Sequence, residues 1–344
     1  MPLVTVLMSV FNGAKYLEAA IASITTQTLR DFEFIIVDDA STDDTPAILR
    51  RCRDPRLVLL RNEENRGLTW SLNLGLRRAR GEFIARMDAD DLSEADRLEE
   101  QAAYLRVHPD VGLVCSAATI VDEQGVPVGT HTPSFSPEHF YFFLNYKNCI
   151  VHSSVLFRRE IVERLGGYDE RRPFAQDFEL WQRLARTARI AQLDRRMVRW
   201  RRHKGGISAS WKCGQDRAVH GLVSSRLYRL TGQEITPDEL AHLQQECPQD
   251  EGELERELTI LSGIRQGLFS QEKEIMRTLR LKERAIARIA RETQGRLLSR
   301  HFHRLPRKQW PGFLWHIGTR HPLLLGGKVV AAAAHRMKGL RLAA

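Results

Sequence analysis

The sequence predicts an α/β fold, with a mixed, mostly parallel central sheet, helices on both faces and a helical, basic C-terminal region. Three observations predict it. Apolar runs of strand length alternate with stretches of helical spacing up to Asp91, acidic clusters stand directly after two of those runs, and the pattern turns helical from about Gln215. Alternation of this kind builds a parallel sheet with its crossover helices on the faces. Ligands of such sheets sit beyond the carboxyl ends of the strands.

The elements follow in order. Val4 to Val10 is an apolar run of strand length, and Ala14 to Thr26 places Tyr16-Leu17, Ala20-Ile21 and Ile24 on one helical face. Phe32 to Val37 is a second buried strand. Ser41 or Thr42 then caps a helix with Pro46 in its first turn. Arg56 to Leu60 is a third strand, Leu68 to Ala79 a helix closed by Gly81 at the C′ position, and Phe83 to Met87 a fourth strand. Beyond Asp91 the parallel pattern gives way to a mixed one. Helices are expected at 94–107 and 176–187, strands at 111–121, 151–157 and 190–200, and a loop at 130–137. Further helices are expected at 217–230, 237–246, 252–267, 271–293 and 322–337.

The length of 344 residues suits about two domains, since one holds roughly 100–200 residues. The expected division is 1–212, with halves 1–91 and 92–212, followed by 213–344. The net charge of +9 favours anionic partners, and its surplus lies in the tail, where Glu283 and Glu292 are the only acids from Arg277 onward. The five cysteines are odd in number, scattered and free of CxxC spacing, which argues against a disulfide framework or a zinc site and for a reducing, cytoplasmic compartment. Neither a signal peptide nor a run of about 20 apolar residues is visible.

Asp88-Ala89-Asp90-Asp91 is the central motif. Crowded carboxylates after a buried strand repel one another unless a cation offsets them. Alternation puts Asp88 and Asp90 on one side of an extended chain, and oxygen donors suit Mg²⁺ or Mn²⁺ completed by substrate phosphates. The plainer alternative is an acidic turn before a helix. Asp38-Asp39, with Ser41 and Asp43, admits two readings as well, contact with a base or ribose and capping of the next helix. Asp177 opens a helix and would face a cleft. His152 and His203 could each approach a phosphate or a metal, while Arg201, Arg202 and Lys204 around His203 could neutralise a diphosphate or be solvated.

Taken together and in order, eight stretches resemble glycosyltransferase family 2. They are Val4 to Asn12, Phe34 to Asp43, Asn65 to Leu68, Gly81 to Asp91, His152 to Arg158, Gly167 to Asp169, Gln176 to Trp181 and Arg201 to His203. The resemblance covers about residues 1–210 and implies the GT-A fold, with 1–212 as catalytic domain, its first half binding nucleotide and its second half acceptor. It implies an inverting enzyme that moves a sugar from a nucleotide-sugar donor to a carbohydrate or lipid-linked acceptor, in bacterial surface polysaccharide or glycolipid synthesis. It further implies that Val10, Phe11, Asn12, Asp39, Asn65, Arg66, Asp88 and Ala89 border the nucleotide sugar, and that Asp90, Asp88 and His203 hold a divalent metal. Asp177 would be the catalytic base, and His152, Arg201 and Lys204 would contact diphosphate or acceptor. One departure stands out. Where many relatives carry Arg-Asn in the third helix, this chain has Leu72-Asn73, so Arg66 or the 201–204 cluster is the expected substitute cation.

Competing classes fit less well. A sugar nucleotidyltransferase would want a glycine-rich phosphate loop after the first strand, and Ser9 to Gly13 holds a single glycine; a dehydrogenase fails for want of GxGxxG. A nucleic-acid module lacks an accompanying motif, so no nucleic-acid partner is expected. The basic amphipathic stretch Ile275 to Arg291 suggests peripheral attachment to the cytoplasmic face of a membrane, against the alternative of an ordinary packed subdomain.

Overall fold

The computed structural model describes residues 1–132, 135–206, 212–240 and 250–304. Contacts divide the chain into two compact units, Met1–Val219 and a second beginning at His220.

The first unit is built on a nine-stranded mixed sheet. Its parallel half has the order β3 (Leu57–Arg61), β2 (Phe32–Asp38), β1 (Val4–Val10), β4 (Phe83–Asp88). Strands β1 and β2 are buried throughout, which is why they read as unbroken apolar runs rather than alternating ones. The helices α1 (Ala14–Thr25), α2 (Thr45–Arg51) and α3 (Leu68–Arg78) make the crossovers. On α1 the buried residues are Leu17, Ala20, Ile21 and Ile24, the face its spacing predicts. The sheet then turns mixed. Strand β8 (Leu156–Arg158) runs antiparallel to both β4 and β6 (Val111–Val121), β9 (Arg189–Arg201) runs parallel to β6, and β5 (Leu92–Ser93) and β7 (Pro127–His131) add antiparallel edges.

The register matters for the site. Ser9 pairs with Asp88, and Val10 pairs with Asp38. Phe11, Asp39 and Ala89 are therefore neighbours at the carboxyl ends of three adjacent strands.

Several expectations need correction. Helix α3 ends at Ala79, and Gly81 does not serve as its C′ residue. A Cβ at Gly81 would lie 2.4 Å from the Thr5 backbone nitrogen, so glycine is needed for close approach to β1. Helix α2 starts at Thr45 with Pro46 in its first turn, and the Ser41 hydroxyl accepts the Asn12 N–H at 3.0 Å instead of capping it. The helix expected from Glu94 starts at Arg97 as α4 (Arg97–Val107), because Leu92–Ser93 pairs with β9. The strand expected at 151–157 splits into a 3-10 turn, His152–Ser154, and the short β8, since Ser153 and Ser154 turn inward to bond other groups. Within 130–137, Thr130 and His131 belong to β7, and Pro137 begins α5 (Pro137–Phe143). The remaining helices of this unit are α6 (Arg159–Arg164) and α7 (Gln176–Leu184).

Helix Lys212–Thr231 leads into the second unit, where helices Glu251–Gln271, Lys273–Thr278 and Glu283–Arg304 follow. The helix expected at 271–293 is broken: Arg280 takes φ 52°, which an α-helix cannot contain. Glycine at 263 and 267 lets helix Glu251–Gln271 approach closely, since a Cβ at Gly267 would meet the Leu230 carbonyl oxygen at 2.3 Å. The apolar side of Ile275 to Arg291 faces inward, with Leu279, Ile286 and Ile289 buried. Gln294 Nε2 on the same helix as Ile286 donates to the Leu258 carbonyl at 3.1 Å. The apolar face that membrane insertion would need is thus spent on protein packing. The expected helix at 237–246 is seen in its first turn at 237–240. Its remainder, and the expected helix at 322–337, lie outside the described residues.

Candidate active site

The carboxyl ends of β1, β2 and β4 form the floor of the site, and its acids divide into two kinds.

The first kind is spent inward. Asp39 is buried, and its carboxylate accepts from Asn62 Nδ2 at 2.6 Å, the Arg66 N–H at 2.9 Å and the Gly67 N–H at 2.8 Å. It thereby shapes the loop entering α3. Asp38 accepts the Ser41 N–H at 2.9 Å, and Asp43 accepts the Thr45 and Ala14 N–H groups. Asn12, in the left-handed region at φ 50°, accepts the Thr42 N–H at 2.8 Å through Oδ1, lacing the end of β1 to the end of β2. Val10 is buried beneath them, whereas Phe11 is 48% exposed, an apolar side chain facing solvent at a strand end. Asn65 and Arg66 are exposed, and the Arg66 guanidinium lies 4.3 Å from the Trp70 ring and 3.7 Å from Glu64.

The second kind crowds together. Asp88 closes β4, but Ala89 and Asp90 form a turn, with the Asp91 N–H reaching the Asp88 carbonyl at 3.4 Å, so simple strand alternation does not describe the motif. Burial disfavours ionisation of Asp88, yet the Arg86 guanidinium, His152 and the Ser153 hydroxyl outweigh it and hold its carboxyl below the ordinary range. Burial and the Asp88 charge push the Asp90 carboxyl up, while His203, whose Nε2 is 2.8 Å from Asp90 Oδ2, pulls it back. Asp91 is raised furthest, by burial and then by Asp90 and Asp88. Ser153 Oγ lies 2.7 Å from Asp88 Oδ2 and 2.5 Å from Asp91 Oδ2. A hydroxyl has one hydrogen to give, so a protonated Asp91 completes this arrangement. Asp91 also accepts the Arg201 N–H at 2.7 Å, tying the motif to β9.

Two buried arginines underlie these acids, and sequence reasoning missed both. Arg86, fully buried, donates to the Met87 carbonyl and to Asp88 Oδ1. Arg97, also fully buried, donates to the Arg86 and Val155 carbonyls at 2.8 and 3.1 Å, and burial, with the Arg86 charge beside it, lowers it to about 9. The signal was an arginine inside the apolar run Phe83 to Met87, a charge that a buried strand tolerates only with partners.

The expected substitutes at the 201–204 cluster differ in fact from one another. The Arg201 guanidinium donates to the carbonyls of Asp90, Asp122 and Glu123, so it braces the loops rather than facing a ligand. It also stacks on the Tyr16 ring at 4.6 Å, which meets the His203 ring at 4.9 Å and the Lys15 ammonium as well. The Lys204 side chain is exposed, and Arg202 lies over Trp200. Leu72 is fully buried in the core, while Asn73 bonds the Tyr168 backbone through both ends of its amide. His152 is neutral, lowered to about 3 by burial and by Arg86, with Nε2 3.0 Å from the Tyr168 hydroxyl.

Asp177 stands in the first turn of α7, two residues after Ala175 at φ 58°. Burial raises its carboxyl above the ordinary range and the Asp88 charge adds to this, while the Phe178 N–H and Asn148 oppose it. Ser153 bonds Asp88 while the adjacent His152 ring lies 5.9 Å from that of Trp181 on α7, so the turn His152–Ser154 joins the Asp88 motif to the helix that carries Asp177. Among the described residues, no three His, Cys, Asp or Glu side chains are assembled as a metal cage.

Comparison with known proteins accords with this geometry. A profile described as glycosyl transferase family 2 matches residues 5–166. The uncharacterized glycosyltransferase MJ1057 of Methanocaldococcus jannaschii is 35% identical over 191 residues, covering 52% of this chain and 63% of that protein. The amylovoran biosynthesis glycosyltransferase AmsE of Erwinia amylovora is 33% identical over 184 residues, covering 52% of this chain and 68% of that protein. The chain thus spans about two thirds of the length of these curated relatives. Among solved structures, S. aureus TarS 1–349 in complex with UDP-GlcNAc aligns with TM-score 0.56 at 20% identity, covering 78% of this chain and 81% of that one. Mannosyltransferase PcManGT from Pyrobaculum calidifontis, in complex with GDP-Man and Mn²⁺, aligns with TM-score 0.53 at 22% identity, covering 85% and 87%. These likenesses give the fold as GT-A.

Proposed function

The chain belongs to glycosyl transferase family 2, and from that membership we propose that it moves a sugar from a nucleotide-diphosphate sugar to an acceptor hydroxyl, with inversion at the anomeric carbon. The observation that carries the proposal is the meeting of the Asp88 motif with Asp177, a half-buried acid raised above the ordinary range: Ser153 bonds Asp88, and the adjacent His152 packs on Trp181 of the helix that carries Asp177. Donors of the class bound by TarS and PcManGT supply the diphosphate. Phe11 offers the nucleotide an apolar contact, and the Asp39-shaped loop places Asn65 and Arg66 at the same strand ends.

The reaction is one in-line displacement. Asp177 takes the proton of the acceptor hydroxyl, whose oxygen forms the new bond to the anomeric carbon, while the bond to the diphosphate oxygen breaks and the nucleoside diphosphate leaves with the electron pair. A positioned general base contributes about 10²–10⁴-fold. The transition state resembles an oxocarbenium ion, as in glycoside hydrolysis. With one base and no enzymic nucleophile, configuration inverts.

A divalent ion suits the donor set. Asp90 is raised by burial and by Asp88, which is unrelieved negative charge, and His203 offers a nitrogen beside it. Asp90 and His203, with Asp88 behind them, would hold Mg²⁺ or Mn²⁺, the diphosphate supplying further oxygens. Such an ion neutralises charge on the leaving group. The test is release of nucleoside diphosphate from a panel of UDP-, GDP- and dTDP-sugars, with metal and with chelator. Release from one donor class that chelator suppresses is expected; no release from any donor would sink the reading.

The acceptor is proposed to be a carbohydrate or lipid-linked glycan of surface polysaccharide, by analogy with AmsE. Peripheral membrane contact is proposed to be electrostatic. Arg284, Arg288, Arg291, Arg296 and Arg300 are exposed on helix Glu283–Arg304, while its apolar side is buried. Among the described residues no helix is long and apolar enough to cross a membrane. The described cysteines are all free, which suits the cytoplasmic side. Flotation with anionic liposomes at low salt, lost at high salt, is expected.

A further inference from the structure

Asn148 has no place in the sequence reading, yet it is tied to the group that matters most. It lies between α5 and the turn His152–Ser154. Its Oδ1 accepts the Ile150 N–H at 3.2 Å, which fixes the other end of the amide as the donor, and Nδ2 then reaches Asp177 Oδ2 at 3.0 Å. The segment is pinned on both sides. The neighbouring Cys149 carbonyl lies 3.2 Å from His131 Nε2 on β7, and the Leu144 carbonyl at the end of α5 accepts from Gln182 Nε2 on α7 at 2.8 Å. The amide is therefore held by backbone that is itself fixed to the helix carrying Asp177.

We infer that Asn148 is the positioning residue of Asp177, holding its carboxylate in one orientation and favouring its ionised form. The inference rests on the proposed glycosyl transfer with Asp177 as base. The other groups that act on Asp177 are the Phe178 N–H in the first turn of α7, the Asp88 charge, and Tyr168. Tyr168 stays protonated through burial, and its partner His152 stays neutral, so neither changes charge where Asp177 titrates. Burial and Asp88 raise the carboxyl; Asn148 is the side chain that works against them. Its removal leaves the proposed donor and metal contacts untouched.

The test is the pH profile of kcat/KM for Asn148→Ala, Asn148→Ser and Asn148→Asp, with donor affinity measured by calorimetry. A base must be ionised to act, so activity falls as pH drops through its pKa. Asn148→Ala is expected to move that acid limb upward by about one to two pH units, since a hydrogen bond to a charged group is worth about 1.5–3 kcal/mol. Asn148→Asp removes the donor and adds a like charge, and should move the limb further. Asn148→Ser should fall between wild type and Asn148→Ala. Donor affinity should stay within about twofold in each, which also reports that the fold is kept. An unmoved limb in Asn148→Ala and Asn148→Ser with unchanged donor binding overturns the positioning role. The reading beneath it fails separately, through turnover by Asp177→Asn.

Discussion

Asp39 and Asp177 are both acids of the candidate site, one after β2 and the other in the first turn of α7, but their surroundings are opposite. Asp39 is surrounded by donors from Asn62, Arg66 and Gly67, and its charge is spent on building a loop. Asp177 is half-buried with Asn148 as its side-chain donor, and desolvation with the Asp88 charge raises its carboxyl. The difference separates frame from chemistry. An acid saturated with backbone donors has little left to offer a substrate, whereas one kept basic by burial is poised to take a proton.

Three outcomes would break or sharpen this division. The largest is expected at Asp177: Asp177→Asn should lower kcat by about 10²–10⁴-fold with donor affinity retained, as measured by steady-state kinetics beside calorimetry. Wild-type turnover should also fall with pH at a point above the ordinary carboxylate range. Next is Asp39→Ala, which strands three donors, two of them backbone. It should cost about 2–4 kcal/mol of unfolding free energy in urea titration, and a variant of full stability would show that Asp39 is not frame. The smallest is Ala175→Gly. A left-handed residue other than glycine costs about 1–2 kcal/mol, partly offset by the freedom glycine gains when unfolded, so a rise of roughly 0.5 kcal/mol is expected by thermal unfolding. A loss of stability there would mean that the backbone at 175 is not strained.

The parallel half was legible because its strands are buried on both faces and its helices carry one apolar stripe, so each element is visible from local pattern alone. The mixed half was less so. Ser153 and Ser154 interrupt what reads as a strand because their hydroxyls answer to Asp88, Asp91 and the Val151 carbonyl, partners that local periodicity does not contain. Gly81 looked like a helix stop because its true constraint, the backbone of β1, is distant in sequence. In the site, the acids announced themselves through crowding. Asn148 and Arg97 did not, and Arg86, though a charge inside an apolar run, gave no sign of which partners it would find. Arg201 misled in the other direction: a cation beside a histidine looked ligand-facing, and its guanidinium proved to be held by three loop carbonyls.

The guanidiniums of Arg86 and Arg97, sealed beneath the Asp88 motif, carry a consequence for the catalytic cycle. The positive charge built into the floor offsets the cluster's negative charge chiefly at Asp88, and leaves Asp90 as the acid whose charge a visitor would balance. Product and any accompanying ion can depart each round without the strand end springing apart, and the next donor meets a surface already in shape.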